Sequence, residues 1–272
     1  MNGQVYNKGE MKIEGMPTIL YKYRMWKEPC SEHQYQRRVL TENEVFLASP
    51  KQFNDPFDCS LPFRYKEEEL NPGNIYLKLR EIAKRNWPNL SNEQIEEKCF
   101  IKQSSGVFDS ADYWKDFYPY FVENIANEYG ILSLSTKCDD LLMWSHYADS
   151  HNGFCVGLDT QLLFDTIGGA LAEVIYSDKF PELGMFDEPL VNTLRLLNTK
   201  SMHWSYENEF RLRKSNSART IHRIPDACIK EIILGCKMSR EIKTEIHNIH
   251  DEKFSQAKIY EAEINLNEFN LI

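Results

Sequence analysis

The spacing of apolar side chains predicts strands near the start of the chain, then a helical stretch, then more strands. Thr18–Arg24 alternates between its two faces in the way that is typical of a strand. Glu44–Ala48 is a second strand-like run, and Ser49 and Pro50 end it. Phe53–Asp58 reads Phe-Asn-Asp-Pro-Phe-Asp, which predicts a tight turn anchored by its two aromatic side chains.

Residues 65–129 are charged and lack strand-like alternation, so they predict a helical insertion. Its clearest apolar face repeats every three or four residues, at Trp114, Phe117, Tyr118, Phe121 and Ile125. Residues 1–16 predict a flexible leader. Residues 17–272 are therefore expected to form a single domain that carries the insertion.

Short strands and helices alternate irregularly beyond Gly130. Ile131–Ser135 predicts a buried strand, Leu141–Asp149 a helix and Tyr206–Leu212 a later strand. Because no regular β-α-β units appear, we expect an α+β protein with a mainly antiparallel sheet. The chain has neither a glycine-rich dinucleotide-binding turn nor a phosphate-binding loop.

Charge and composition narrow the classes of function. The 272 residues include 41 acidic and 32 basic side chains, and the net charge of −9 argues against a protein that coats nucleic acid regardless of sequence. Cysteines and histidines are scattered, so no metal site is predicted. No apolar run approaches the roughly 18 residues that span a bilayer. With no signal-peptide stretch at the start, a cytoplasmic protein without a membrane partner is expected.

Two predicted strands carry polar groups that have two interpretations. Lys22 and Arg24 share one strand face, which is either solvated or places a guanidinium to hold a phosphate or carboxylate. Ser133 and Ser135 share a face of a buried strand, where unbonded hydroxyls are costly. These serines either bond neighbouring backbone or orient a ligand or a catalytic carboxylate.

Two further groups are candidates for chemistry. His146 on the predicted helix is either an acid–base group or a packing residue, and the neighbouring Tyr147 either stacks on a ligand or fills the core. The two-residue period of a strand places Glu207, Glu209 and Arg211 on one face, where the two carboxylates repel. The glutamates either pair with Arg211 at an exposed surface or form a Glu-x-Glu pair in a cleft.

Four sequence blocks resemble a widespread bacterial domain family of unknown function. The similarity extends from about Leu20 to Gly235. The blocks are Leu20–Arg24, Phe53–Asp58, Leu142–Ala148 with His151-x-Gly153, and Trp204–Arg211.

The order of Arg24, Ser133-x-Ser135 and Glu207-x-Glu209 also resembles the signature of ADP-ribosyltransferases of the arginine–serine–glutamate type. In addition, the segment Ile224–Gly235 is similar to the end of the DNA-targeting ADP-ribosyltransferase toxins. The chain departs from these enzymes in reading Ser-Leu-Ser instead of Ser-Thr-Ser and in its long insertion. The resemblance implies a split, mainly antiparallel sheet that binds NAD.

The resemblance also implies roles for individual residues. Arg24 would hold the pyrophosphate, and Ser133 or Ser135 would set the catalytic glutamate or contact the nicotinamide ribose. Glu209 would accept the ribose 2′-hydroxyl and stabilise the developing cation, while Glu207 would position the acceptor. The remaining assignments are catalysis for His146 and Tyr147, NAD binding for Tyr21 and Tyr23, and substrate binding for Asn54, Asp55 and Arg211.

The expected function is thus a NAD-dependent mono-ADP-ribosyltransferase that acts as a bacterial toxin or an anti-phage defence effector, with an antitoxin protein as a partner. RNA is the preferred acceptor, with DNA and protein as others. A basic patch for RNA would come from Arg211, Arg213, Lys214, Arg219 and Arg223. One alternative is a nuclease built from His146, Asp149, Glu207 and Glu209 around a phosphate on Arg211. The other is a non-enzymatic nucleotide-binding module.

Overall fold

The computed structural model describes residues 15–27, 35–60, 62–108 and 110–271. Its helices are α1 (Arg38–Thr41), α2 (Pro72–Asn86), α3 (Asn92–Ser104), α4 (Ala111–Glu128), α5 (Leu141–Tyr147), α6 (Thr160–Ile167), α7 (Pro189–Asn198) and α8 (Arg240–Lys253). Its strands are β1 (Ile19–Arg24), β2 (Glu44–Leu47), β3 (Arg64–Tyr65), β4 (Gly130–Ser135), β5 (Phe154–Asp159), β6 (Ala170–Glu173), β7 (Ile175–Ser177), β8 (Glu182–Leu183), β9 (Thr199–Ser201), β10 (Glu209–Lys214), β11 (Thr220–Arg223), β12 (Ile229–Leu234) and β13 (Lys258–Glu261).

The chain forms two compact units. The first takes its residues from 1–53, 126–176 and 202–272, and the second from 54–125 and 177–201. Most of the predicted helical insertion therefore lies in the second unit. Of the predicted leader, only Gly15 and Met16 are among the described residues, and Met16 packs against the core of the first unit.

A seven-stranded sheet forms the centre of the first unit. Its strand order is β13-β12-β5-β1-β4-β10-β6, and every neighbouring pair is antiparallel except β12 and β13. The protein is thus α+β with a mainly antiparallel sheet, as the irregular order of strands and helices predicted. Among the described residues, no helix combines the length and apolar character needed to cross a bilayer.

This sheet opens between β1 and β4. β1 pairs with β5 along its whole length, from Ile19 to Arg24, but pairs with β4 only where Tyr21 lies opposite Ser135. At its other end β4 pairs instead with Ala48, through Ile131. The two strands therefore diverge from the Tyr21–Ser135 contact.

The two faces of the sheet pack against different helices. The larger core covers the face that carries Leu20, Val156 and Phe210, and it includes apolar side chains of α6 and α8. On the opposite face, Tyr23 and Cys155 pack with Trp144 of α5. The alternation of side chains along a strand thus determines which polar groups lie beside α5.

In the second unit, α2, α3 and α4 confirm the predicted helical character of residues 65–129. The Phe53–Asp58 turn crosses the boundary between the units, and within the second unit Asp55 accepts a hydrogen bond from the backbone N–H of Phe57 at 3.0 Å. The prediction that two aromatics anchor this turn is wrong for Phe57, whose side chain is 53% exposed. The carboxylate of Asp58 instead anchors the segment, through a buried ion pair with Lys200 at 3.2 Å.

Candidate functional site

One row of side chains crosses the three strands that carry the sequence motifs. Tyr21 of β1 lies opposite Ser135 of β4, and Ser135 lies opposite Glu209 of β10. Directly opposed residues in antiparallel strands project from the same face. The row therefore places a tyrosine, a serine and a glutamate side by side, where β1 and β4 begin to diverge.

Ser135 holds the segment that leads into β10. Its hydroxyl is buried, donates to the backbone carbonyl of Glu207 at 2.7 Å and accepts from the N–H of Lys137 at 3.0 Å. Ser133 lies opposite Arg211 on the same face, and its backbone carbonyl accepts a 2.6 Å hydrogen bond from Lys22. The hydroxyl of Ser135 thus bonds backbone, and the backbone that it bonds belongs to a candidate catalytic residue.

Glu207 does not lie on the strand, contrary to the sequence-based prediction of Tyr206–Leu212. It ends a 3₁₀ helix that spans Met202–Glu207, and β10 begins only at Glu209. The reason is Asn208, whose left-handed φ of 45° interrupts the extended backbone, a conformation that asparagine tolerates better than most residues. The prediction that Glu207 and Glu209 share one face of a strand is therefore wrong for Glu207.

The carboxylate of Glu207 contacts α5. Its Oε1 accepts a 2.6 Å hydrogen bond from the hydroxyl of Tyr147, and the Glu207 side chain is only 3% exposed. A buried carboxylate needs such donors, since leaving it without them is costly. Tyr147, predicted to stack on a ligand or fill the core, thus binds a candidate catalytic carboxylate.

Glu209 and Arg211 form a buried, two-bonded ion pair. Nε of Arg211 lies 2.7 Å from Oε1 of Glu209, and Nη2 lies 2.9 Å from Oε2. Arg211 is fully buried, and its guanidinium lies 5.6 Å from the ring centroid of Phe53. Both oxygens of Glu209 are engaged by Arg211, so the predicted surface pairing is replaced by a buried one.

The accessible part of the site is aromatic. His146 is exposed on α5, and its Nδ1 lies 2.9 Å from the hydroxyl of Tyr206. The imidazole centroid lies 6.4 Å from the Trp204 ring, and the rings of Trp204 and Tyr206 lie 6.0 Å apart. His146 is thus a surface residue with a tyrosine partner rather than a core residue.

A strained segment follows α5. Asp149, Ser150 and His151 all have left-handed φ values, of 50°, 52° and 72°, at a cost of about 1–2 kcal/mol for each residue. Gly153 then passes so close to β1 that a Cβ there would lie 2.2 Å from the backbone carbonyl of Arg24. Only glycine fits at this position, which explains the glycine of the His-x-Gly block.

Tyr21 and Tyr23, predicted to bind NAD, have protein partners. Tyr21 donates to Glu231 at 2.8 Å, and Tyr23 donates to the carbonyl of Lys137 at 2.9 Å. Burial, as the largest cause, raises the pKa of both hydroxyls well above the usual value. Both tyrosines are therefore neutral donors that stabilise the sheet.

Arg24 lies on the other face of the sheet from Glu209. It is directly opposite Phe154 and on the same side of β1 as Leu20, and both of these residues belong to the larger core. Burial lowers the pKa of the Arg24 guanidinium to about 10. Within the described part of the chain, no hydrogen bond or ion pair offsets this burial.

The structure does not gather all the predicted residues into one site. Asn54 and Asp55 lie in the second unit, where Asp55 caps its own turn. The predicted basic patch is wrong in part, because Arg211 and Arg213 are buried at 0% and 2% exposure. Asp149, proposed for a nuclease, pairs with Lys27 at 2.8 Å. Among the described residues, no three His, Cys, Asp or Glu side chains come together as a metal site.

Two contacts of the site were missed by sequence reasoning. Tyr176 accepts a hydrogen bond from the backbone N–H of Glu209 at 2.9 Å, and no sequence signal pointed to it. The contact between Tyr206 and His146 had a signal, because both residues lie in the blocks of the family resemblance.

Residues 143–212 match the model of a family described as "Protein of unknown function (DUF2971)". The predicted resemblance to a family of unknown function is supported over this segment, which runs from α5 into β10. It contains His146, Tyr147, Glu207 and Glu209 and leaves out β1. No curated protein and no solved structure matches the chain.

Proposed function

We propose that this protein transfers ADP-ribose from NAD to an acceptor, as a toxin or defence effector of the ADP-ribosyltransferase type would. The observation that carries the proposal is the row of Tyr21, Ser135 and Glu209 across β1, β4 and β10. The strands of the Arg, Ser and Glu motifs are consecutive neighbours in the sheet, and the sheet opens beside this row.

The residues on this part of the sheet suit the chemical groups of NAD. A nicotinamide ring needs an aromatic surface, and the exposed His146 with the partly buried Trp204 and Tyr206 supplies one. A ribose needs a hydrogen-bond acceptor, and Glu207 lies beside this set through Tyr147. Arg211 is unsuited to the pyrophosphate, because it is buried and engaged by Glu209.

In this proposal Arg24 holds the pyrophosphate, so NAD would have to extend through the gap between β1 and β4, because Arg24 lies on the other face of the sheet from Glu209. Lys22 lies two residues away on the same face of β1, and its ammonium already reaches across to the Ser133 carbonyl of β4. Side chains from this face of β1 can therefore extend over the gap. A partly buried guanidinium that no described partner neutralises is suited to an anionic ligand.

The geometry favours Glu207 over Glu209 as the catalytic carboxylate. Arg211 engages both oxygens of Glu209, whereas Glu207 bonds Tyr147 on the helix that also carries the exposed His146. In this proposal the pair of Glu209 and Arg211 supports the start of β10.

The reaction breaks the bond between the ribose C1′ and the nicotinamide nitrogen. Nicotinamide leaves with the electron pair, positive charge develops on the ribose, and a carboxylate stabilises it mainly in the transition state. The acceptor then bonds C1′ and loses a proton. In this proposal the exposed His146 is the base that takes the proton from the acceptor, and the hydroxyl of Tyr206 holds its ring.

A non-enzymatic nucleotide-binding module is the second candidate. It is favoured by the burial of both carboxylates, each only 3% exposed. Such a module would bind NAD without releasing nicotinamide. The acceptor class stays a prediction, with RNA, DNA and protein as the alternatives.

Incubation with NAD labelled on its adenylate half tests the proposal. The full chain is mixed with separate RNA, DNA and protein fractions, and label on any macromolecule identifies the acceptor class. Transfer of label supports the enzyme. Binding of NAD by calorimetry without transfer or nicotinamide release supports the module and contradicts the enzyme.

A further inference from the structure

The second unit contains a cavity of about 520 Å³ that the proposed function does not use. Side chains of α2, α3, α4 and α7 line it, together with those of residues 63, 65, 87, 107, 108, 183, 185 and 187. The volume falls within the range of about 300–1,000 Å³ that is typical of small-molecule pockets. The cavity is therefore large enough to bind a small molecule.

The walls of the cavity are largely apolar and aromatic. Phe63 and Phe121 pack edge to face with ring centroids 4.8 Å apart, and Phe108 and Tyr113 do so at 5.4 Å. Aliphatic side chains such as Leu79 complete the lining. These edge-to-face contacts hold the rings in place, so the rings form a preformed apolar surface.

The charges on the lining are predominantly positive. Among the lining residues whose side chains the structure describes, Lys78 and Arg85 of α2 and Lys98 and Lys102 of α3 contribute four cationic groups, against one carboxylate, Asp187. Asp187 is already paired with Arg195 at 3.3 Å. Lys78 is itself paired with Glu81, so the positive charge of the described lining comes mainly from Arg85, Lys98 and Lys102, in a chain whose net charge is −9.

Two of these cations are held at the cavity by specific contacts. Lys78 is 7% exposed, with its ammonium 2.9 Å from Glu81. The ammonium of Lys98 lies 4.9 Å from the ring centroid of Trp87, another lining residue.

We propose that this cavity binds a small amphipathic carboxylate, with its apolar body among the aromatic side chains and its charged end near the cations of α2 and α3. Burial of an apolar body provides affinity, and a charge-assisted hydrogen bond to an ammonium or guanidinium selects an anionic end. A neutral amphiphile gains only the first of these contributions.

Titration calorimetry of the full chain tests this inference with two matched pairs of probes. Decanoate is compared with decanol, and 1-naphthoate with 1-naphthol. At least one carboxylate should bind about tenfold or more tightly than its alcohol. The better carboxylate shows whether the ligand body is an alkyl chain or a flat ring.

Two variants assign the binding to the cavity. Lys98 and Lys102 are exposed, so the double variant Lys98→Met/Lys102→Met should fold and lose about tenfold in carboxylate affinity while alcohol binding is unchanged. Val107→Trp should fill the cavity and abolish binding of both. The control is Lys84→Met, an exposed residue of α2 outside the lining, which should change neither.

The inference is overturned if neither carboxylate binds, if acid and alcohol bind equally, or if the double variant and Lys84→Met behave alike. None of these outcomes bears on NAD turnover, whose residues lie in the first unit.

Discussion

Glu209 and Arg211, two residues apart on β10, bind each other through both carboxylate oxygens inside the sheet. This pair explains why the negative charges of the two glutamates in the Glu-x-Glu block do not repel each other strongly. Glu209 is neutralised by its neighbour on the strand, and Glu207 leaves the strand at Asn208 and bonds Tyr147. The two carboxylates thus have different surroundings and are expected to have different roles.

Removing either partner of this pair should be strongly destabilising. Glu209→Gln and Arg211→Met are each expected to lower the free energy of unfolding by about 3–5 kcal/mol, because the remaining group stays buried without its partner. Urea unfolding of both single variants and the double variant measures the coupling. Losses that simply add in the double variant would contradict a buried pair.

The two phenylalanines of the Phe53–Asp58 turn should differ in their contribution to stability. Phe57→Ala should cost less than about 1 kcal/mol, because the side chain is 53% exposed. Phe53→Ala should cost about 1–2 kcal/mol, because its ring lies against the guanidinium of Arg211. Urea unfolding of the two variants checks the order, and an equal or reversed order would argue against it.

Arg24 should be unfavourable for stability and favourable for binding. Its pKa is lowered to about 10 by burial, so the folded state disfavours the charge at every pH below that value, and stability recovers only as the pH rises above 10. Arg24→Met is therefore expected to raise the free energy of unfolding at pH 7 by about 1–3 kcal/mol and to weaken NAD binding. Urea unfolding and NAD calorimetry check these two effects.

The control for Arg24 is Arg64→Met, an exposed arginine of β3 that should alter neither quantity. A destabilised Arg24→Met variant would mean that the guanidinium has a stabilising partner. Unchanged NAD affinity would assign the pyrophosphate to another residue.

His151 should make the protein less stable in mild acid. Burial, together with the charge of Lys237, lowers its pKa below 6.5, and its ring is stacked on Trp144. The unfolded state then binds the proton more readily, so stability contributed by the neutral ring is present above pH 6.5 and is lost as the pH falls through the folded-state pKa. Urea unfolding between pH 7.5 and about 5 should show a smaller loss in His151→Gln than in the wild type. Equal losses of stability in the variant and the wild type would show that His151 does not cause the acid sensitivity.

The sequence predicted the fold better than it predicted the site. β1 and β4 were recognisable because their period-two patterns are local, and irregular alternation was enough to indicate an α+β protein with a mainly antiparallel sheet. The strand predicted at Tyr206–Leu212 begins only at Glu209, because the left-handed backbone at Asn208 interrupts the extended conformation. No local pattern carries that information.

Partners in the site were harder to predict because they come from distant parts of the chain. Glu207 bonds Tyr147 sixty residues earlier, and Tyr21 bonds Glu231 from β12. Arg24 lies on the face of β1 that packs against the larger core. Which face of β1 does so depends on the order of strands in the sheet rather than on the sequence of the strand itself. The order of the motifs along the chain thus did not indicate which residues share a face.

The rate of nicotinamide release from NAD by wild-type protein, Glu207→Gln and Tyr147→Phe tests the central claim most directly. Glutamine keeps an acceptor for Tyr147 but removes the charge, so folding should be retained and the rate should fall by about 100-fold or more. Tyr147→Phe should lower the rate less, because the carboxylate stays but loses its donor. A wild-type rate in Glu207→Gln, or no release by the wild type, would contradict the assignment of this site to ADP-ribosyl transfer.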